Sequence, residues 1–209
     1  MLRWGILGTG FISNKMIEAV KASDESMLHT IAGRQQDLLD QFQSEHGFAK
    51  QSLGYADVMA DPDVDAIYIG APNHVHHTLT LVAAEHGKAV LSEKSLTTTM
   101  EQAHALVDGV NAAGIFFVEG LMYLAHPFLA RFVEVLNDGR LGDLKAINGF
   151  YCADIWQVTN PMGRGTLYNL GCYPTSLMHL VVQTMCGEAA FATRRIHGTG
   201  NTSEEDGTI

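Results

Sequence analysis

The sequence is poor in cysteine, in basic residues and in long apolar runs, and each shortage argues against a class of protein. Only three of its 209 residues are cysteines. They form no Cys-x-x-Cys pair, which argues against a disulfide framework or a cysteine zinc site. Lysine and arginine number 13 against 23 acidic residues, for a formal net charge of −10. Nucleic acid is therefore an unsuitable partner, because binding a phosphate backbone requires a basic face. No apolar stretch is long enough to span a bilayer, so no membrane association is expected.

These shortages favour a cytoplasmic protein with reduced thiols. The apolar run at Leu2–Leu7 is broken by Gly8 and Gly10, so we expect no secretory leader. Hydrophobic residues make up 46% of the chain and charged residues 17%, an ordinary balance for one large or two small globular domains.

Hydrophobic periodicity divides the chain near residue 120. Before that point, short buried strands alternate with amphipathic helices, which predicts βαβ units and a parallel sheet. After it, the pattern predicts an α+β domain on a mixed or antiparallel sheet. We therefore expect an α/β domain with a parallel sheet over 1–120 and a second, α+β domain over 121–209. The predicted strands are 2–7, 28–32, 66–69, 89–92, 115–118, 144–153 and 191–198, and the predicted helices are 12–21, 35–46, 55–60, 77–86, 99–113, 128–136 and 168–185.

A glycine-rich turn, Gly8–Ser13, directly follows the first strand and opens the first helix. Gly8 permits a tight turn, and Gly10 lets the backbone approach a pyrophosphate at the N-terminus of the helix. Serine at position 13 is small enough for close helix–strand packing, although the fingerprint prefers glycine or alanine there. The strand–turn–helix context favours a nucleotide site, and the alternative is a turn without a ligand. The predicted cofactor-binding residues of this turn are Gly8, Gly10, Phe11 and Ile12.

The residue after the second strand distinguishes the two nicotinamide cofactors. An acidic residue about 20 positions beyond the glycines binds the ribose 2′-hydroxyl of NAD. The sequence instead has Gly33-Arg34-Gln35-Gln36, and a guanidinium suits a 2′-phosphate. We predict NADP in preference to NAD. The alternative is that Arg34 is only a solvated residue at the start of a helix.

Three further segments, taken with the glycine turn, carry a resemblance that covers residues 2 to about 200. They are 71–76 together with 83–94, 119–127, and 163–174. Through them the sequence resembles the Gfo/Idh/MocA oxidoreductases, and within these the dimeric dihydrodiol dehydrogenase and NADP-dependent xylose dehydrogenase branch. The resemblance implies hydride transfer between NAD(P) and a sugar, polyol or diol. It also implies a dinucleotide-binding Rossmann domain over 1–120. Over 121–209 it implies a substrate and oligomerisation domain with an open, mostly antiparallel sheet that often forms a subunit interface, and hence a homo-oligomer.

The resemblance assigns roles to individual residues. Lys94 falls on the family's catalytic lysine, and Tyr173 falls where relatives keep a catalytic histidine or tyrosine. A nearby ammonium favours the phenolate, so Lys94 would lower the pKa of Tyr173 if the two meet across the domain cleft. Tyr173 would then be the acid/base, and Lys94 would orient the substrate oxygen. The matched cofactor-side residues are Pro72, Asn73, His76, Glu93 and Lys94, and the matched substrate-side residues are Tyr123, His126 and Asn169.

Plain structural roles are the alternatives for several of these residues. Lys94 is otherwise a surface lysine at a helix entry, and Tyr173 a half-buried packing tyrosine. His74, His76 and His77 have no accompanying carboxylates at ligand spacing, so we predict no metal site.

Three departures from the family pattern favour a second class of function. Ser95 replaces the proline that normally makes the turn after Lys94 rigid. Asn169 replaces an aspartate and cannot carry a proton. The chain is also shorter than the family's, so we expect an incomplete second domain with sheet edges exposed or covered by another subunit. The alternative to a dehydrogenase is therefore a catalytically silent dinucleotide-binding or assembly protein.

Overall fold

The computed structural model describes residues 1–154, 161–192, 194–202 and 204. The chain forms two compact units, Met1–Gly120 and Leu121–Ile209. The first unit alternates strands and helices along its whole length. Its elements are β1 (Leu2–Leu7), α1 (Phe11–Lys21), β2 (Ser26–Gly33), α2 (Gln36–His46), β3 (Lys50–Leu53), α3 (Ala56–Ala60), β4 (Ala66–Ile69), α4 (His76–Glu85), β5 (Ala89–Ser92), α5 (Met100–Ala113) and β6 (Phe117–Glu119).

The six strands form one parallel sheet in the order β3-β2-β1-β4-β5-β6. This is the strand order of a doubly wound dinucleotide-binding sheet, in which the order reverses between β1 and β4. Ligands of such sheets bind at that reversal, beyond the carboxyl ends of the strands. The prediction of an N-terminal parallel Rossmann sheet is confirmed.

Helices cover both faces of this sheet. Ile6 of β1 packs with Ile17 and Phe42 in one apolar cluster, whereas its neighbour Leu7 packs with Val90 in another. Successive strand residues point to opposite faces, so a strand covered on both sides must be apolar throughout. All four residues of β4 are accordingly buried. This explains why the central strands are recognisable as continuous apolar runs.

The edge strand β3 has no counterpart among the predicted strands. It pairs only with β2, and three of its four residues, Lys50–Leu53, are exposed. An edge strand needs no apolar face and carries polar side chains that discourage further pairing. Its sequence therefore lacks the pattern that identifies the buried strands.

The second unit is helical where it is regular. It contains α6 (Pro127–Asn137), α7 (Gly165–Leu170) and α8 (Cys172–Cys186), with short 3-10 turns at Met122–Ala125, Pro161–Gly163 and Glu188–Phe191. The prediction of a single helix over 168–185 is wrong, because the chain breaks into α7 and α8 at Gly171. A Cβ on Gly171 would lie 2.5 Å from the carbonyl oxygen of Leu167, so only glycine fits this tight junction.

The predicted strands at 144–153 and 191–198 are not found among the described residues. Residues 144–153 follow no regular pattern, and Phe191 ends a 3-10 turn, while residue 193 lies outside the described part. A strand needs a neighbour for its hydrogen bonds, and the described residues of this unit offer none. The expected open antiparallel sheet is therefore not formed within them. No helix in the described ranges is both long and apolar enough to cross a bilayer.

An ion pair joins the beginning of β1 to the residue before β4. The Arg3 guanidinium donates to both carboxylate oxygens of Asp65, at 3.0 and 2.9 Å, and its backbone N–H donates to the same carboxylate at 2.9 Å. These bonds hold the pKa of Asp65 at about 2. The pair therefore stabilises the fold above the unfolded-state pKa of about 4 and loses this contribution as the pH falls towards 2.

We expect Asp65→Asn to lower the Tm at pH 7. The difference between the Tm of the variant and that of the wild type should shrink as the pH is lowered from about 4 to 2. Thermal unfolding followed by circular dichroism at several pH values measures this. Asp24→Asn removes an exposed carboxylate for which the structure gives no hydrogen bond, and serves as the control. A Tm difference that stays constant at every pH would contradict the assignment.

Candidate functional site

The two glycines of the turn after β1 have different structural roles. Gly8 has a φ of +115°, and a Cβ there would lie 2.9 Å from the backbone carbonyl of Gly70. The turn thus packs directly on the chain that follows β4, and only glycine fits. Gly10 has a φ of −89°, and a Cβ there would meet nothing within 4 Å. Gly8 is therefore required by the fold, whereas Gly10 leaves open space before α1.

Ser13 ties the first turn of α1 to the glycine turn. Its side chain is fully buried, and its hydroxyl donates to the carbonyl oxygen of Gly8 at 2.7 Å. A Cβ on Gly70 would lie 2.7 Å from the same hydroxyl oxygen, so the packing here is tight. The serine thus adds a restraint that glycine or alanine would lack.

The N-terminus of α1 fits the pyrophosphate of a dinucleotide. No side chain caps the helix, and Gly10 places no Cβ in front of it. The first backbone N–H groups of a helix have no partners within it, and the helix dipole favours an anion there. Phe11 is exposed in this turn and Ile12 is half-buried. The cradle therefore suits the group that the sequence predicts.

Arg34 is the first residue after β2, beside the glycine turn. A Cβ on Gly33 would lie 3.1 Å from the methyl carbon of Thr9, which shows how closely the end of β2 approaches that turn. The Arg34 side chain is exposed and makes no ion pair with any residue that the structure describes. The first acidic residue beyond β2 is Asp37, already within α2. The residue that follows β2 is therefore basic rather than acidic.

The segment after β4 contains an exposed Pro72 and a half-buried Asn73. His76, which begins α4, is 1% exposed. Its Nε2 lies 2.7 Å from the carbonyl oxygen of Ala71, and its Nδ1 lies 3.0 Å from that of Ser95. Burial lowers the pKa of His76, which favours the neutral ring with a single N–H. The side chain lies between two loops instead of facing open space.

Glu93 and Lys94 follow the end of β5 at the same edge of the sheet. The Glu93 carboxylate accepts a hydrogen bond from the hydroxyl of Tyr68 at 2.8 Å, and its backbone N–H donates to Ile69. Burial, together with the Glu93 charge, raises the pKa of Tyr68, so this hydroxyl stays a donor. Glu93 is thereby fixed to β4, and Lys94 is half-buried beside it.

Glu119 is a residue to which the sequence assigns no role. It ends β6 and pairs in register with Ser92 of β5. Its carboxylate accepts a hydrogen bond from the backbone N–H of Leu96 at 2.7 Å. Burial raises the pKa of Glu119, and so does the charge of Glu93, while the Leu96 N–H and the Lys94 ammonium oppose these effects. The available signal was a charged residue directly after the apolar segment 115–118, which the sequence predicts as a strand.

In the second unit, Tyr123, His126 and Tyr173 line one cavity of about 550 Å³ whose other walls are mainly apolar. The Tyr123 hydroxyl hydrogen-bonds the hydroxyl of Ser176 at 2.6 Å. The Tyr173 ring lies 6.3 Å from that of Tyr123 and 5.4 Å from that of Tyr151, between centroids. The cavity therefore brings together three residues that the sequence predicts for the catalytic or substrate side.

Asn169, the remaining residue predicted for the substrate side, does not line this cavity. It belongs to α7. His126 also caps α6, because its Nδ1 accepts the Phe128 N–H at 3.0 Å. Within the described ranges, no cluster of three or more histidine, cysteine or acidic side chains is placed to hold a metal ion.

Residues 2–120 match the sequence model of a protein family. The family is GFO_IDH_MocA, the oxidoreductases with an NAD-binding Rossmann fold. The chain belongs to this family. The resemblance that the sequence motifs indicate is thereby confirmed. The glycine turn, the end of β2 and the Glu93-Lys94 segment all lie within the matched range.

Curated relatives extend the similarity into the second unit. An uncharacterized oxidoreductase of Rhizobium meliloti is 32% identical over 187 residues, which are 87% of this chain and 56% of the relative. Trans-1,2-dihydrobenzene-1,2-diol dehydrogenase of Xenopus tropicalis is 28% identical over 95% of this chain and 62% of its own. D-xylose 1-dehydrogenase (NADP(+)) 2 of Haloferax volcanii is 30% identical over 88% of this chain and 58% of its own. The chain thus spans between 56% and 62% of these relatives.

A solved structure is similar over both units. A 3-ketoreductase from Actinomadura kijaniata, in complex with NADP and TDP-benzene, matches with a TM-score of 0.76 and 28% identity, over 87% of this chain and 57% of its own. Solved forms of that enzyme include variants with one lysine or one tyrosine replaced.

Proposed function

We propose that this chain carries the cofactor site and catalytic residues of an NADP-dependent oxidoreductase. The reaction is hydride transfer between the nicotinamide and the hydroxyl-bearing carbon of a sugar, polyol or diol. The observation that carries the proposal is the uncapped N-terminus of α1 behind Gly8 and Gly10, with Arg34 at the end of the adjacent strand. The printed activities of the diol dehydrogenase, the xylose dehydrogenase and the ketoreductase support it.

The cofactor is proposed to lie along the carboxyl edge of the sheet. The turn at Gly8–Ile12 receives the pyrophosphate, and Arg34 pairs with the 2′-phosphate. The residues proposed for its nicotinamide half are Pro72, Asn73, His76, Glu93 and Lys94. NADP(H), when bound, supplies or accepts the hydride.

Two side chains are proposed to act on the substrate oxygen. Tyr173 exchanges the proton of the reacting hydroxyl as acid/base, and Lys94 orients that oxygen. The ammonium also favours negative charge on oxygen, which lowers the barrier to deprotonation. Tyr123, His126 and Asn169 are proposed to bind the rest of the substrate. The cavity that Tyr123 and His126 line together with Tyr173 supports this for the first two.

Residues 121–209 are proposed to belong to a substrate and oligomerisation domain built on an open, mostly antiparallel sheet. The homo-oligomer and the cytoplasmic location stay predictions. The activity itself is tested by mixing the protein with NADPH and a panel of carbonyl compounds and following nicotinamide absorbance. Binding of NADPH without turnover would favour the catalytically silent binding protein instead.

The cofactor preference is tested at Arg34. We expect Arg34→Asp to raise the Kd for NADPH by about ten- to a hundredfold and to change the Kd for NADH little, because only NADPH carries the 2′-phosphate. Fluorescence titration measures both constants. Lys15→Gln removes an exposed cation of α1 and is the control. Equal effects on the two cofactors would contradict a 2′-phosphate contact.

A further inference from the structure

One peptide unit, one residue beyond Lys94, has side chains from other elements near both of its polar ends. It joins Ser95 to Leu96. Its N–H donates to the Glu119 carboxylate at 2.7 Å, and its carbonyl oxygen lies 3.0 Å from Nδ1 of His76. Because a peptide unit is planar, the hydrogen bond to Glu119 restrains the orientation of the whole plane.

The contact with Glu119 is better defined than the contact with His76. A backbone N–H can only donate and a carboxylate only accept, so the direction of the hydrogen bond is unambiguous. The sheet sets the position of Glu119, because the next residue, Gly120, donates its N–H to the carbonyl oxygen of Ser92 at 2.7 Å. A Cβ on Gly120 would lie 3.2 Å from that oxygen, so the ends of β5 and β6 are tightly packed.

Two groups of the turn after β5 stabilise the ionised Glu119 carboxylate. The carboxylate is half-buried, and the lysine ammonium stabilises its ionised form. Burying a carboxylate costs free energy unless hydrogen bonds and an opposite charge compensate. Leu96 and Lys94 supply these two compensations, and both belong to the same turn.

We infer that Glu119 is a positioning residue that holds the turn carrying Lys94. The backbone of Ser95 has no proline ring to restrict it, and the hydrogen bond from Leu96 to Glu119 provides a restraint from outside the turn. This hydrogen bond therefore restrains the backbone of the turn from which Lys94 projects. The catalytic consequence rests on the proposed function, whereas the restraint on the turn does not.

Two substitutions separate the hydrogen bond from the charge. Glu119→Ala removes the acceptor, while Glu119→Gln keeps an acceptor oxygen of the same reach. We expect Glu119→Ala to lower kcat by about ten- to a hundredfold, since small displacements of a catalytic group have effects of this size. The Kd for NADPH should stay within about twofold, and Glu119→Gln should recover most of kcat. Glu85→Ala, at an exposed glutamate that ends α4, is the matched control.

Amide hydrogen exchange tests the restraint without any need for turnover. We expect Glu119→Ala to accelerate exchange over residues 94–98, and Glu119→Gln to restore protection there. Glu119→Met, which fills similar space without a strong acceptor, replaces the alanine variant if that protein does not fold.

Two results would overturn the inference. One is unchanged exchange at Leu96 in the variants that lack the acceptor. The other is a glutamine variant that keeps this protection but loses as much kcat as the alanine variant, since Glu119 would then act through its charge alone. If the wild-type chain does not turn over NADPH, the proposed activity fails, and the exchange results still decide whether Glu119 holds the turn.

Discussion

Lys94→Ala is expected to lower kcat/KM for NADPH-dependent carbonyl reduction by about two to three orders of magnitude. The proposed ammonium contact is strongest when negative charge develops on the substrate oxygen, so its loss raises the transition state more than the ground state. Steady-state kinetics with a carbonyl substrate measure the effect. The Kd for NADPH should change by no more than a few-fold, because the turn at Gly8 and Gly10 and the Arg34 contact remain.

Two further variants make this result interpretable. Lys145→Ala removes an exposed lysine of the second unit and should keep wild-type kcat/KM. Tyr173→Phe keeps the ring beside Tyr123 and Tyr151 while removing the hydroxyl, and should cost about a hundredfold or more in kcat. Wild-type kcat in Tyr173→Phe would exclude this tyrosine as the acid/base.

Gly8→Ala is expected to impair mainly the stability of the fold, and Gly10→Ala mainly the binding of NADPH. Gly8→Ala should destabilise the fold by about 2 to 4 kcal/mol, because its φ of +115° strains an L-residue and its Cβ meets the Gly70 backbone at 2.9 Å. Gly10→Ala should cost about 1 kcal/mol or less, since glycine is only modestly better than alanine before a helix. It should nevertheless raise the Kd for NADPH by about tenfold or more, because the new methyl occupies the approach of the pyrophosphate.

Urea unfolding and NADPH titration of the two variants measure these effects side by side. Gly47→Ala, at the end of α2, provides a control for positive φ alone: its φ is +74°, and a Cβ there would meet nothing within 4 Å. Its loss of stability should therefore be smaller than that of Gly8→Ala. Wild-type affinity for NADPH in Gly10→Ala would contradict the placement of the pyrophosphate before α1.

The sequence predicted the buried strands of the first unit because both of their faces are covered. Helix ends were predictable from glycine. Gly47 and Gly114 directly follow α2 and α5 and adopt the left-handed conformation that ends a helix. Prediction failed at β3, where an edge strand carries no apolar pattern, and the strand predicted at 144–153 is not found in the described part of the chain.

By itself, the sequence determined the Rossmann fold, the glycine turn, the basic residue after β2 and the Glu93-Lys94 segment. These features depend on local periodicity and on short motifs whose meaning does not change with distant contacts. Only the tertiary structure decided that Gly8 packs on Gly70 and that Glu119 accepts a hydrogen bond from the turn after Lys94. Such contacts join residues far apart in the chain, and they exist only once the register and order of the parallel strands bring the strand ends to one edge.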